Sequence, residues 1–198
     1  MIEIKSKEII EKYLDQEKLG KFLDLVEEAN QKLNLFSRGI DRNELMILAA
    51  ESIIPVQLGL ISPDSGPIID IGSGWGIPAI PLLLWNPSLN LTLVERSKKK
   101  ADFLNLTLHR LSLRANIINS DIEHVPDGDK FQMITLRQVA LDKRFVDALR
   151  RHSTEDADLV YFGPIVDEKL FTSVTSTQYI IDRKPVRTVI AAKFSKKK

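Results

Sequence analysis

A glycine-rich turn at residues 68–76 constrains the fold more than any other part of the chain. Residues 68–71 are apolar apart from one acid, and Gly72, Gly74 and Gly76 follow at two-residue spacing. Glycine permits positive φ angles and lets the main chain approach a bound molecule closely. The pattern predicts a buried strand that turns tightly into a helix and leaves room for a ligand beside the turn.

A second predicted strand ends in an acid. Glu95 follows residues 91–94, a run rich in β-branched residues, and lies 23 residues after Gly72. A strand, a glycine turn, a helix and a strand ending in a carboxylate are typical of the nucleoside-binding half of a doubly wound fold. We therefore expect an adenosine-bearing cofactor, with both oxygens of Glu95 accepting hydrogen bonds from the ribose hydroxyls. The alternative is a surface acid that interacts with the N-terminus of the next helix.

Length and composition exclude several classes of protein. The 198 residues are 43% hydrophobic and 28% charged, which suits one α/β domain with a modest appendage. Cysteine is absent and the three histidines have no metal-ligand spacing, so neither disulfides nor a zinc site are expected. No apolar stretch reaches the roughly 20 residues of a membrane span, and the N-terminus lacks a signal-peptide pattern. We expect a cytoplasmic monomer that binds no metal and no membrane.

The chain divides into a helical front third and an alternating region. Apolar residues recur every three or four positions over residues 5–35, and Asp41 fits the cap of a further helix, with Glu44 as its capping-box partner. The turn residues 62–67 separate an N-terminal helical extension, residues 1–60, from a second domain, residues 61–198.

Predicted strands and helices alternate in the second domain, which indicates a mainly parallel α/β sheet covered on both faces. The predicted strands are 67–71, 90–95, 115–119, 131–136, 157–162, 177–182 and 187–194. The predicted helices are 76–85, 97–112, 141–152 and 164–170. The link at residues 183–185 is too short for a crossover helix, so the last two strands must form an antiparallel hairpin. A seven-stranded, mainly parallel sheet with a terminal hairpin is the Rossmann-like arrangement of methyltransferases.

The spacing of the glycines distinguishes between two cofactor classes. A dinucleotide fold needs Gly-x-Gly-x-x-Gly, and its third glycine position is occupied here by Ile77. The observed spacing, with Asp70 ahead of it, is typical of S-adenosylmethionine enzymes, whose ligand has no pyrophosphate to place at a helix N-terminus. After the third strand, Ile122 could cover an adenine ring while Glu123 meets its exocyclic amine. A routine turn at the end of the strand is the alternative.

Residues 72–82 and 92–104 resemble the GidB family of bacterial small-subunit ribosomal RNA methyltransferases, which make 7-methylguanosine. Pro78 and Pro81, together with the lysine-rich helix start before Phe103, make the resemblance more specific than a generic methyltransferase motif. Weaker similarity extends to Asn34-Leu35, residues 136–140 and residues 187–190.

The resemblance implies an S-adenosyl-L-methionine-dependent enzyme that methylates a guanine of small-subunit ribosomal RNA, with ribosomal RNA or the small ribosomal subunit as partner. It implies cofactor contacts at Gly72, Ile77, Ile122, Glu123 and Arg137, with Glu95 on the ribose. The rest of the glycine turn adds Gly74 and Gly76 to the candidate cofactor-binding residues.

Methylation of the guanine ring nitrogen seven requires no general base, because that nitrogen carries a lone pair and no proton. Arg137, which follows the fourth predicted strand of the second domain, is therefore the candidate catalytic residue and would orient the cofactor or the base. The alternative is an ion pair with a nearby acid such as Asp70. Trp75 could stack on the target base, or else pack against a neighbouring helix.

Several positions depart from the family's pattern. Leu48-Ala49 stand where an Arg-His pair is common, Phe162 where a lysine is common, and Glu95 where aspartate is usual. They leave open a methyltransferase of another substrate, and a catalytically degenerate methyltransferase fold that binds RNA or a protein partner. Basic segments such as 98–100 and 196–198 fit either phosphate contacts or solvated surface, because the net charge is only +1.

Overall fold

The computed structural model describes residues 1–33, 40–163 and 167–194. Asn34-Leu35, Lys196–Lys198 and the first three residues of the predicted helix 164–170 lie outside the described residues. The strands are β1 Ile2–Ile4, β2 Ile68–Ile71, β3 Leu91–Val94, β4 Asn116–Ile118, β5 Phe131–Arg137, β6 Ser153–Phe162, β7 Phe171–Ile181 and β8 Arg187–Phe194. The α-helices are α1 Ser6–Tyr13, α2 Gln16–Leu33, α3 Arg42–Glu51, α4 Ile54–Gln57, α5 Ala79–Trp85, α6 Lys98–Arg110 and α7 Lys143–Arg151.

The strands form one sheet in the order β1-β7-β8-β6-β5-β2-β3-β4. β2 is buried along its whole length and pairs in parallel with both β3 and β5, so that Asp70 lies beside Leu93 on one side and Thr135 on the other. The chain leaves β2 toward β3 and β4, and then returns to its opposite side as β5. Ligands of open α/β sheets bind at the carboxyl ends of the strands where the order reverses in this way. The glycine turn after β2 lies at this point.

The predicted terminal hairpin is confirmed, because β7 and β8 pair antiparallel. β7 begins at Phe171, six residues before the predicted strand, and the described part of the predicted helix 164–170 holds only a 3₁₀ turn at Glu168–Leu170. Residues 172–177 are rich in threonine, serine and valine. The β-branched residues among them favour a pleated strand over a helix.

The prediction of an all-helical front third is wrong at its first residues. Ile2–Ile4 form β1, which pairs in parallel with Tyr179–Ile181 of β7, so the described residues form a sheet of eight strands rather than the seven predicted. Asp182 accepts hydrogen bonds from the backbone nitrogen and the hydroxyl of Ser6, and these bonds anchor the strand. A three-residue strand is too short to show alternation, and it extends the edge of the sheet only beside Tyr179–Ile181 of β7.

Two apolar clusters cover the two faces of the sheet. One contains α1–α3 together with α5 and α6, including Phe22, Leu45 and Leu104, and the other contains α7, including Leu149. The front helices therefore share a core with the sheet and bring α3 toward its carboxyl edge. The division at residues 60 and 61 remains a prediction.

Candidate active site at the carboxyl ends of the strands

Backbone hydrogen bonds hold the glycine turn against the ends of β2 and β3. Gly72, Gly74 and Gly76 all have positive φ, at 72°, 58° and 104°. The nitrogens of Gly72 and Ser73 donate to the carbonyl of Val94 at 2.8 and 3.1 Å, and the nitrogen of Gly76 donates to the carbonyl of Ser73 at 2.7 Å. These bonds fix the turn directly after β2, as predicted, and the positive φ angles explain why glycine occupies the three positions.

Glu95 connects this turn to the start of α6. Its Oε2 accepts a hydrogen bond from the nitrogen of Gly74 at 2.9 Å, and its Oε1 accepts one from the nitrogen of Ser97 at 2.8 Å. The residue is buried, and Asn119 donates to its carbonyl at 2.8 Å. A carboxylate oxygen can accept two hydrogen bonds, so each oxygen of Glu95 keeps one acceptor site. Glu95 therefore stabilises the helix start, and its two oxygens can still accept a pair of hydroxyl donors.

A cleft of about 470 Å³ lies beside this carboxylate. Five of the residues predicted from the sequence line it, namely Gly72, Gly74, Glu95, Ile122 and Arg137. Val94, Lys100, Asp121 and Phe145 contribute further to its walls. The structure thus places two acidic residues, several apolar side chains and an open stretch of main chain around a single space.

A second and larger cleft, of about 1030 Å³, opens on the other side of the glycine turn. It lies between α3 and the β7–β8 hairpin, and Ile77, Leu48 and Phe162 contribute apolar surface to it. Gly72, Gly74, Arg137 and Gln138 line both clefts. The two spaces therefore meet at the ends of β2 and β5.

Arg137 stands at this junction and pairs with Glu51. Its Nη2 donates to Glu51 Oε2 at 2.5 Å, and its guanidinium lies 5.6 Å from the centre of the Phe162 ring. The ion pair that the sequence suggested as an alternative therefore exists, with Glu51 in the place of Asp70. Asp70 Oδ1 instead accepts a hydrogen bond from the Thr135 hydroxyl at 2.7 Å.

Glu51 gathers two further donors around the same carboxylate. The hydroxyl of Tyr179 donates to Oε1 at 2.6 Å, and Nη1 of Arg187 lies 3.0 Å from both oxygens. Burial and the neighbouring Glu51 raise the pKa of Tyr179, so the phenol stays protonated. Burial opposes the charge on Arg187, but its carboxylate partners outweigh that effect and raise the pKa of the guanidinium.

Glu44 extends this cluster to the hairpin. It pairs with Lys184 and with Nη2 of Arg187, each at 2.8 Å. Burial alone would raise the pKa of Glu44, and these two cations lower it instead. The predicted cap of α3 is confirmed, since Asp41 accepts from the nitrogen of Glu44 at 2.8 Å. The predicted capping-box role of Glu44 is replaced by its ion pairs across the larger cleft.

Ile77 and three other residues predicted to contact a ligand lie outside the smaller cleft, and Ile77 lines the larger one instead. Gly76 lies under the turn, where a Cβ atom would come within 2.5 Å of Ile80, and it lines neither cleft. The Glu123 carboxylate pairs with Arg144 and also lines neither cleft. Trp75 stacks on Phe22 of α2, with ring centres 6.1 Å apart, so the packing alternative describes it, although it also borders the larger cleft.

The cluster around Glu51 was missed by the reasoning from sequence. The available signal was a single acid within an otherwise apolar run, because residues 45–54 contain no other charged side chain. An acid in such a run requires a buried partner. Glu44 and Glu51 are seven residues apart and therefore lie on one face of α3. What the sequence could not show is that β5, β7 and β8 bring their polar side chains to this face.

The residues that the structure describes contain no group of three or more histidine, cysteine or acidic side chains that could hold a metal ion. None of their helices is both long enough and apolar enough to cross a bilayer.

Comparison with known proteins agrees with this geometry at the level of fold. A T. thermophilus 16S rRNA N2 methyltransferase, solved with AdoMet and guanosine, has a TM-score of 0.59 at 16% identity, covering 80% of this chain and 45% of that one. A SAM-dependent O-methyltransferase from Thermotoga maritima has a TM-score of 0.55 at 14% identity, covering 89% of this chain and 72% of that one. The Rossmann-like methyltransferase fold predicted from the sequence is confirmed.

Two relatives of similar sequence are both named ribosomal RNA small subunit methyltransferase G. The protein from Mesomycoplasma hyopneumoniae strain 7448 is 37% identical over 134 residues, which cover 64% of each chain. The protein from Mycoplasma mobile is 30% identical over 161 residues, which cover 77% of this chain and 69% of that one. The match thus spans somewhat less than two thirds of the M. hyopneumoniae protein. The family model of rRNA small subunit methyltransferase G matches residues 15–175, and the chain therefore belongs to this family, GidB.

Proposed function

We propose that this protein transfers a methyl group from S-adenosyl-L-methionine to the ring nitrogen seven of a guanine in small-subunit ribosomal RNA. One observation carries the proposal: a cleft that contains the Glu95 carboxylate and the open glycine turn meets a second cleft at Arg137. A methyl transfer between two substrates needs two spaces that share a boundary. Membership of the GidB family supplies the substrate class.

The smaller cleft fits an adenosine-bearing cofactor. A Cβ atom on Gly74 would meet only the Gly72 carbonyl, at 3.6 Å, among the described residues beyond its chain neighbours, so the missing side chain leaves open space. The free acceptor sites of Glu95 suit the two ribose hydroxyls, and buried Ile122 offers an apolar surface for the adenine ring. When bound, the cofactor supplies a methyl group activated by its sulfonium.

The chain's own residues then have to orient the two substrates. Guanine nitrogen seven has a free lone pair, so no residue needs to remove a proton. Arg137 lies where donor and acceptor meet, and its planar guanidinium can stack on a base or donate hydrogen bonds to it. Correct orientation of two reactants can contribute on the order of 7–11 kcal/mol at best. We propose that Arg137 acts in this way, with Gly72, Gly74 and Ile77 shaping the space around the reacting atoms.

Two glutamate variants provide a matched test of the cofactor site. Glu95→Gln should weaken binding of S-adenosylmethionine by about 10- to 100-fold in calorimetry, because hydrogen bonds to a charged group contribute about 1.5–3 kcal/mol. Glu123→Gln changes the same functional group at a side chain that faces Arg144. It should bind the cofactor within about threefold of the wild type. Equal losses in the two variants would contradict the role proposed for Glu95.

The acceptor is tested with the wild-type protein. Purified small subunits and naked small-subunit RNA from a strain lacking the enzyme are incubated with methyl-labelled cofactor, and digests are analysed for 7-methylguanosine. Label in that nucleoside supports the proposal. Label in another nucleoside or in protein indicates a different acceptor. Cofactor binding without transfer to either substrate would favour a partner-binding role.

A further inference from the structure

We infer that Glu51 is a positioning residue that fixes the Arg137 guanidinium at the boundary between the two clefts. The inference rests on the proposed function, since it concerns the orientation of donor and acceptor. Glu51 closes α3, and the other members of the cluster come from β5, β7 and β8. One carboxylate thus connects the helical front part of the chain to three strands of the sheet.

Burial and geometry distinguish Glu51 from an ordinary ion pair. Its side chain is 1% exposed, while that of Arg137 is 15% exposed. It accepts four hydrogen bonds from three side chains, at 2.5 to 3.0 Å. Charged side chains are rarely buried to this extent, and replacing a buried ion pair by apolar residues is often neutral or stabilising. Stability alone therefore gives a weak reason for placing a carboxylate here.

The restraints on Arg137 act on two different parts of the guanidinium. Glu51 accepts from Nη2, and the Phe162 ring lies 5.6 Å from the central carbon. A planar guanidinium that is held at one edge and packed against a ring has little freedom to rotate. Nη1 is buried without a hydrogen-bond partner among the described residues. Arg137 therefore keeps hydrogen-bonding capacity, and its orientation is set before any ligand enters.

Arg187 and Tyr179 in turn hold Glu51. Arg187 bonds both oxygens of Glu51 at 3.0 Å, and Tyr179 donates to Oε1. These bonds leave Oε2 directed at Arg137 through a short contact. Removing the Tyr179 hydroxyl loosens Glu51 without altering any charge or touching Arg137. This makes Tyr179→Phe a mild probe of the same mechanism.

The test is a double-mutant cycle between Glu51→Gln and Arg137→Lys. The rate of methyl transfer is measured in single turnovers at saturating cofactor, and the Kd for S-adenosylhomocysteine is measured by calorimetry. Each single change should slow transfer by on the order of 100-fold, because a displacement of about 1 Å at the reacting centre can have that effect. If Glu51 acts through Arg137, the double variant should be no more than about threefold slower than the slower single variant.

Effects that multiply in the double variant would overturn the inference, because a merely structural contribution is independent of Arg137. The control cycle pairs Arg137→Lys with Glu95→Gln, which bonds the nitrogens of Gly74 and Ser97 and has no bond to Glu51 or Arg137, and its effects on the Kd should multiply. Circular dichroism confirms that each variant is folded. If Glu51→Gln is unfolded, Tyr179→Phe takes its place in the cycle, with the same non-multiplying result expected.

Failure of the proposed function is distinguishable from failure of this inference. A wild-type protein that binds S-adenosylhomocysteine but transfers no methyl group to ribosomal RNA contradicts the proposed acceptor. In that case the Kd values for S-adenosylhomocysteine are compared across the cycle. If the losses of binding free energy in the two single variants do not add up in the double variant, positioning is still supported; if they add up, the inference is overturned. A wild-type protein that does not bind the cofactor overturns both.

Discussion

Asp70, at the centre of the sheet, should give the protein a distinctive dependence of stability on pH. The residue is 1% exposed, and its Oδ1 accepts the hydroxyl of Thr135 while Oδ2 has no partner among the described residues. Burial disfavours the charged form and raises the pKa of this carboxyl from 3.8 to about 6, against the opposing effect of its hydrogen bonds, and the nearby Glu95 charge adds to the rise. Folding therefore favours the protonated form of Asp70.

The sign and size of the effect follow from proton linkage. Between about pH 3.8 and pH 6 the folded state holds a proton on Asp70 that the unfolded state has lost. The contribution of Asp70 to stability is therefore fully present below this window, falls as the pH rises through it, and is lost above it. A shift of about two pH units corresponds to a total change of about 3 kcal/mol.

The assay is urea unfolding of the wild type and Asp70→Asn from pH 4 to pH 8. The asparagine cannot ionise, so the free energy of unfolding of the variant minus that of the wild type should rise by about 2 kcal/mol between pH 4 and pH 7, most of the total change, and then level off. Any constant penalty from the new amide shifts this difference equally at every pH. Asp64→Asn, at an exposed turn residue, is the control and should show no comparable rise. A difference that stays flat or falls with pH would refute the reasoning.

Two further predictions concern the glycine turn and RNA binding. Gly76→Ala should lower the free energy of unfolding by about 2–4 kcal/mol, because its Cβ would lie 2.5 Å from Ile80 and its φ is +104°. Gly74→Ala should lower the free energy of unfolding by only about 1–2 kcal/mol and should mainly weaken cofactor binding. Urea unfolding and calorimetry measure both variants, and equal losses of stability would contradict the different roles given to the two glycines. Lys100→Ala, at the edge of the smaller cleft, should reduce the slope of the log binding constant for RNA against log salt concentration by about one. Lys7→Ala on α1 is the control and should leave that slope unchanged. Filter binding at several salt concentrations measures both variants.

The parts of the molecule that were predictable are those set by local sequence. The buried apolar run of β2, the positive φ angles of the three glycines and the hairpin after residue 182 each depend on a few neighbouring residues. Glu95 was identified from its distance to the turn. Its bond with the nitrogen of Ser97 matches the alternative of an acid at the start of the next helix, and its role toward a ribose remains a prediction. In each of these cases the sequence spacing alone determines the position in space.

The parts that were not predictable depend on contacts between distant segments. β1 is only three residues long and forms on β7, more than 170 residues away along the chain. Glu51 meets Arg137 and Arg187, which follow it by 86 and 136 residues. Glu123 is next to a residue that lines the smaller cleft, but its carboxylate turns toward Arg144 on α7. No local pattern records which segments approach one another, so the partners of these side chains could not be predicted from the sequence.

The positions that depart from the family's pattern can now be interpreted together with the charges of the larger cleft. Ala49 is fully buried, Leu48 lines the cleft, and Phe162 packs against Arg137, so none of the three lies on an outer basic surface. A lysine in place of Phe162 would add a third cation beside Arg137 and Arg187.

The described residues of the larger cleft hold as many acids as bases, with Asp41, Glu44 and Glu51 against Arg137, Lys184 and Arg187. Such a balanced space suits a neutral base better than a phosphate, because phosphate binding depends on excess positive charge. On the proposed function, the target base would therefore enter the larger cleft, while the RNA backbone would contact basic residues outside it, such as Arg96 and the lysines at the start of α6. The salt dependence of binding should then follow those outer residues rather than Arg137 or Arg187, whose charges Glu51 and Glu44 already neutralise.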